Sequence, residues 1–205
     1  MLQLPKLPSR IHKPIPGPSI AAVASIGLLV VQALVGSSAT AFDFNGRKTL
    51  VAVTADGQRT PLGHIDFTPA AGASTTFRLA LKTEVFTDHF LSMREFKCLS
   101  AAQEISCHVP YPYPNPATVS PGQLAWLEHS LLFLTKSPSE FGAKLWNGVY
   151  YEFQEPGAAL VGRPKAVDLN EISAPPRDPS IPPFRKALRH DMPAQARWLR
   201  ELVIE

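Results

Sequence analysis

From residue 42 onward, apolar positions come in short runs broken by glycine, proline, asparagine and aspartate, which is the pattern of an antiparallel sheet. Residues 47–53 (RKTLVAV) alternate and stop at Ala55-Asp56-Gly57, an Asp-Gly turn signal. The partner strand falls at residues 62–68, with Ile65 and Phe67 on one face and His64 and Asp66 on the other. Residues 69–74 (PAAGAS) form a loop. Residues 75–82 (TTFRLALK) then set Phe77, Leu79 and Leu81 against Thr76, Arg78 and Ala80, the period of two of a half-buried strand. Residues 84–93 (EVFTDHFLSM) are less regular and read as a further strand or a connecting bend.

Helical signals are few. Ser120-Pro121-Gly122-Gln123 combines a capping serine, a proline suited to the first helical position and a glutamine that completes a capping box, so a helix is expected to start there, with Leu124, Leu127 and Leu131 on one face. It is expected to stop near His129, because residues 130–136 (SLLFLTK) read equally well as a strand. Ser137-Pro138-Ser139-Glu140 repeats the capping pattern and predicts a single helical turn. Residues 149–153 (VYYEF) and 160–169 read as a hairpin. Residues 174–183 (APPRDPSIPP) are half proline and suit neither a central strand nor a helix interior, so they predict a linker or an extended surface strap. Residues 198–204 (WLRELVI) fit a short helix or a closing strand. The whole is expected to be mainly β: an antiparallel sheet, small barrel or sandwich over residues 42–173, with one or two short helices, and a Pro-rich strap and terminal element at 174–205 packed on or trailing the domain.

Ahead of this pattern, residues 1–41 contain Lys6, Arg10 and Lys13 but no acid, then an apolar run at 20–36, then Ala39-Thr40-Ala41. That is the layout of a secretory signal peptide with cleavage after Ala41. The rival reading is an uncleaved inner-membrane anchor, since about 17 apolar residues lie at the lower edge of a membrane span. With the leader gone, its three cations leave 17 Lys and Arg against 17 Asp and Glu. The basic character of the precursor therefore belongs to the targeting segment, and no nucleic-acid partner is expected. Membrane contact is expected only through an uncleaved leader. The location expected is the periplasm or the exterior.

Export changes the reading of the two cysteines, because disulfides persist outside the cytoplasm. Residues 94–99 and 104–111 read as a hairpin with Cys98 opposite Cys107. Phe96, Cys98, Ile105, Cys107 and Val109 then share one apolar face, and His108 projects to the other, beside Lys97. A metal site built from Cys98, Cys107 and His108 would need all three to converge. The spacing also fails the usual zinc patterns and is not the C-x-x-C-H of haem attachment, so a disulfide is expected and no metal or other cofactor.

Three strings, DHFLSMREFKC at 88–98, CHVPYPY at 107–113 and KLWNGVYYEF at 144–153, are together similar to a family of small exported bacterial proteins with no assigned function. The resemblance implies export and neither an activity nor site residues.

Direct chemical signals are weak. Tyr111 and Tyr113, set among Pro110, Pro112, Pro114 and Pro116, offer an aromatic platform for a glycan or peptide, or simply a stiff connector. Trp126, Trp146, Tyr150 and Tyr151 would line a ligand cavity or fill a core. Tyr111, Tyr113, Trp146 and Tyr150 are the candidate ligand-binding residues. His64 with Asp66, His89 with Asp88, and His190 with Asp191 are the available acid-base pairs, but catalysis needs a nucleophile or reactive water as well, and no local motif ties three such groups together. No catalytic residues are assigned. The expected function is that of an exported cell-envelope binding or structural protein. A small-molecule or lipid carrier with a barrel cavity and a hydrolase with a spatially assembled His/Asp site are the alternatives.

Overall fold

The computed structural model describes residues 41–91, 95–193 and 195–205. Apart from Ala41, the expected leader or anchor lies outside the described residues. Eleven strands form one antiparallel sheet: β1 (Gly46–Thr54), β2 (Arg59–Pro69), β3 (Thr75–Leu81), β4 (Thr87–Phe90), β5 (Glu95–Ser100), β6 (Ile105–Val109), β7 (Thr118–Val119), β8 (Leu132–Lys136), β9 (Gly148–Gln154), β10 (Leu160–Val167) and β11 (Leu199–Ile204). One short helix, α1 (Ala125–His129), lies between β7 and β8. The spatial order is β4-β5-β6-β8-β9-β10-β11-β1-β2-β3-β7. Among the described residues no helix is long and apolar enough to cross a membrane.

The expected hairpins form in the expected phase. Phe67 pairs with Phe77 and Ile65 with Leu79, so the apolar members of β2 and β3 share a face. A bulge re-phases β2: Leu50 faces Gly63 while Val51 faces Pro61, leaving Leu62 as the extra residue. Leu62 thereby joins Ile65 and Phe67 on the inside, although its position number has the opposite parity. Gly63 is required at this point, since its φ is +155° and a Cβ there would sit 2.2 Å from the Ala80 carbonyl oxygen.

Two apolar clusters occupy the two faces of the sheet. The first collects Leu50, Ile65, Phe133, Tyr151, Leu160 and Leu202 with Trp126 and Leu127 of α1, which places α1 against this face of the sheet. The second, on the reverse face, collects Ile105, Leu132, Leu134, Tyr150, Val167 and Phe184 around the half-cystines. β8 alternates between them, Phe133 in the first and Leu132 and Leu134 in the second, which is why SLLFLTK carries no amphipathic signature.

Cys98 and Cys107 lie directly opposite one another on β5 and β6 and are disulfide-bonded. Ile105 and Val109 lie with them in the second cluster, and Phe96 packs against it, as the alternation requires. His108 does project to the other face, but that face is also covered: the ring packs on Phe133 at 5.7 Å and Nε2 bonds the Ser130 carbonyl at 2.9 Å. Burial holds His108 below the ordinary histidine range, opposed in part by that bond. The bridge closes a short loop of sequence separation 9, for which chain entropy predicts about 2.5–3 kcal/mol of stabilisation. Urea unfolding of the double variant Cys98→Ala/Cys107→Ala against wild type should show that loss, with a slope no shallower than that of wild type, because the freed unfolded chain exposes at least as much surface. A difference below about 1 kcal/mol would mean that the bridge does not constrain the unfolded chain in this way.

Two expectations change. Ser120 does not cap a helix: Ser120 and Gln123 bond each other's backbones in a tight turn, with Gly122 at φ +71°, and α1 begins only after Leu124, without a side-chain cap. Ser137 to Glu140 makes a turn rather than a helix, although the capping-box contact survives as Ser137 N–H to Glu140 Oε2 at 2.7 Å. Of the two readings of residues 198–204 the closing strand is the one that forms: β11 pairs with both β10 and β1, and Leu199, Leu202 and Ile204 are fully buried. Hydrophobic pairing on both sides outweighs the interruption by Arg200 and Glu201, which sit at the more accessible positions of the strand.

Candidate functional site

The proline-rich segment is an extended strap fixed at a few points. Beyond Gly162, where β11 leaves β10, His190 pairs its backbone with Ala166 of β10 through two 2.9 Å bonds. Between Pro183 and His190 the strap inserts Phe184, fully buried, and Arg189. The Phe184 ring stacks on His129 of α1 at 5.4 Å, its N–H donates to His129 Nε2 at 3.1 Å, and its carbonyl accepts from Arg189 Nε at 2.9 Å. His129 Nδ1 lies 2.6 Å from the Ala125 carbonyl, so it carries the proton and Nε2 is the acceptor. Both ring nitrogens are thus committed in the neutral form. Burial, with help from the Arg189 charge, pushes the imidazole down to about 4, against the opposing bond to Ala125.

Beside His129, Glu128 is a buried carboxylate in an apolar run. Oε1 accepts the Phe153 N–H at 2.7 Å, Oε2 accepts the Tyr150 hydroxyl, and Arg189 Nη2 stands 3.8 Å from Oε2. Burial raises the Glu128 carboxyl above its usual range, while the two hydrogen bonds and the guanidinium pull the other way. The Tyr150 hydroxyl is pushed up by burial and by the Glu128 charge. Arg189 lies with Cζ 4.1 Å from the Tyr150 ring centroid, a cation–π placement, and donates from Nη1 to Glu152 Oε1 at 2.8 Å. Glu152 Oε2 is 3.6 Å from Lys165 Nζ, and Lys165 in turn bonds Asp191 of the strap, which raises the ammonium and lowers the carboxyl.

This network borders an open cleft of about 1020 Å³. One wall is the turn before α1 with Glu128; another is the end of β9, with Glu152, Gln154 and the following Glu155, and Lys165 of β10; the third is the strap, with Lys186, Arg189 and Asp191. The sheet and helix walls thus carry three carboxylates against one lysine, and the strap brings two cations and one carboxylate. Glu155 also ties the walls together by accepting the Gly122 N–H at 3.0 Å. A smaller cleft of about 450 Å³ shares Gln123 and Ala125 with it and continues along the strap past Ser180 and Pro182.

The structure divides the candidate ligand-binding residues. Tyr150 is fully buried as the floor under Arg189. Tyr111 and Tyr113 are half-buried and join it through His129: Tyr150 to His129 is 5.3 Å, His129 to Tyr111 5.7 Å, and Tyr111 to Tyr113 5.7 Å. Tyr113 donates its hydroxyl to the Ile172 carbonyl at 3.1 Å, so the tyrosines and not the prolines face inward along this connector. Trp126 and Tyr151 are core residues, whereas Trp146 stands 62% exposed with no ring partner among the described residues. Sequence reading missed Glu128, His129, Glu152 and Arg189. The usable signal was Glu128 itself: an acid inside AWLEHSLLFL must be paired if the run is buried.

The three His/Asp pairs do not assemble a reactive site. His64 Nε2 is 3.7 Å from Asp66, but Asp66 is held by Arg47 at 2.7 Å and Arg78 at 3.3 Å in a cross-strand row, which lowers its carboxyl. Asp88 pairs with Lys97 at 2.6 Å while His89 meets Ser100 Oγ at 3.3 Å; adjacent strand residues face opposite ways, so Asp88 does not orient His89. The His190 backbone is engaged with Ala166, and Asp191 with Lys165. Among the described residues no group of three or more His, Cys, Asp or Glu is placed to hold a metal ion. No family model, curated protein or solved structure matches this chain.

Proposed function

We propose that this chain is an exported cell-envelope protein that acts by binding, and that the cleft between β9, β10 and the strap is its ligand site. The cleft itself carries the reading: an open recess of about 1020 Å³ lies at the upper limit of the size of sites that hold small ligands, and it is rimmed by fixed charges of both signs. The signal-peptide layout of residues 1–41 and the Cys98–Cys107 disulfide support a periplasmic or extracellular location. A carrier needs its ligand space inside the sheet, and there Leu50, Leu62, Ile65, Leu127, Leu131 and Phe133 fill it. The charged cleft is therefore the surface on which the binding reading rests.

The test is a ligand screen of the full-length chain by NMR, using envelope glycan fragments, peptides of either charge and small anions. Binding is expected to perturb the amides of Gly122, Phe153 and Lys165, and Lys165→Ala is expected to weaken it about tenfold. Hits that map only to the exposed row around Asp66, or no hits at millimolar concentration, would remove the cleft from consideration.

A further inference from the structure

The resident occupant of the cleft wall shows what chemistry that wall accepts. Arg189 is 11% exposed, lies over the Tyr150 ring and is paired to Glu152 at 2.8 Å, with Glu128 at 3.8 Å beyond it. An aromatic face with two carboxylates is a receptor for one guanidinium group, combining stacking with charge-assisted hydrogen bonds. The residue filling it belongs to an extended, proline-punctuated, locally basic segment that also carries Arg185 and Lys186. Apart from that segment, the wall displays Glu128, Glu152 and Glu155 against Lys165 alone, an acidic surface covered by a basic strand of the same chain. The strap holds its place through the Phe184 side chain and backbone, the Arg189 contacts, Leu188, the His190 bridge and the Lys165–Asp191 ion pair, and apart from the single His190 bridge it is not paired into the sheet.

Resting on the reading of the cleft as the ligand site, we propose that its ligand is an extended basic peptide that presents an arginine to Tyr150, Glu152 and Glu128, and that the strap occupies this receptor in cis as a built-in competitor. An intramolecular occupant acts at an effective concentration of the order of millimolar, so a partner in trans must displace it and reaches full affinity only when Arg189 is withdrawn. The competitor therefore sets a threshold on binding. The guanidinium matters more than its charge, because lysine cannot both stack flat and pair in plane with a carboxylate.

The test uses the full-length chain and a fluorescent peptide with the sequence of residues 183–191, PFRKALRHD. It is expected to bind Arg189→Ala at least tenfold more tightly than wild type. Binding should be lost when the peptide's second arginine is replaced by alanine or lysine, and when Glu152→Gln is added to Arg189→Ala. Equal affinity for wild type and Arg189→Ala, or indifference to the peptide arginine, would overturn the proposal. If Arg189→Ala does not fold by circular dichroism, wild type carries the test: excess peptide must accelerate hydrogen exchange at the Phe184 amide, and unchanged exchange at the highest peptide concentration overturns it. Glycan or anion binding in the cleft without any peptide binding would refute the peptide and leave the cleft as a ligand site.

Discussion

Glu128→Leu is expected to lower the unfolding free energy by about 3–5 kcal/mol, the range for breaking a buried charged network by removing one partner. The leucine fits an apolar run, so a sequence-based view predicts little harm or even a gain. The structure predicts the reverse, because the Phe153 N–H, the Tyr150 hydroxyl and the Arg189 guanidinium would all lose an acceptor or counter-charge where water does not replace it. Glu128→Gln keeps an acceptor for Phe153 and is expected to cost about 1.5–3 kcal/mol, the range of one charged hydrogen bond. Glu171→Gln, at an exposed acid away from the cleft, serves as the control within about 0.5 kcal/mol. Urea denaturation of the four proteins at neutral pH decides the matter. A Glu128→Leu variant as stable as the control would show that the network does not hold the helix to β9.

Acid is expected to release the strap through His129. The imidazole lies at about 4 in the fold against an ordinary 6.5, so between these values the unfolded chain binds a proton that the folded chain refuses. Stability from this group is complete above 6.5 and is lost as pH falls towards 4, by about 3 kcal/mol for a shift of this size. Protonation would turn Nε2 into a donor facing the Phe184 N–H, beside the Arg189 cation and inside the rings of Tyr111, Trp126, Tyr150 and Phe184. Glu128 opposes this slope. Its folded value is raised, so its contribution is present below 4.5 and is lost as pH rises through the folded value. Comparison with His129→Gln, which does not titrate, separates the two. Wild type should lose stability relative to the variant on going from 6.5 to 4, and its Phe184 amide should exchange faster over the same window. A flat difference between the two proteins across that window would exclude His129 as the acid-sensitive latch.

The strands were legible wherever one face meets water. Residues 47–53, 62–68 and 75–82 alternate because the outer face carries Arg47, Asp66 and Arg78, which form a charged row across three strands. The hairpin of β5 and β6 was legible through its cysteines, since only one register sets them opposite each other. Residues 198–204 were not, because a strand paired on both sides and buried at Leu199, Leu202, Val203 and Ile204 shows no period of two. The helix start was misplaced because Ser120-Pro121-Gly122 serves a tight turn as well as a cap, and the turn is held by Glu155, just beyond β9, which local pattern does not reveal. Of the candidate site only Tyr150 was named in advance. Glu128, Tyr150, Glu152 and Arg189 come from one helix, one strand and the strap, and their meeting depends on the path of residues 174–190, which composition identifies as extended without saying where it lies.

The position of β11 also decides whether the sheet behaves as one unit. β1 and β10 are not bonded to each other; β11 stands between them and joins the β1-β2-β3 half to the β8-β9-β10 half. Without β11 the two halves share no backbone ladder, and its pairing with β1, continued by the bonds between Thr49 and Glu205, closes contacts far apart in sequence. The cooperativity of the whole sheet therefore passes through this single strand.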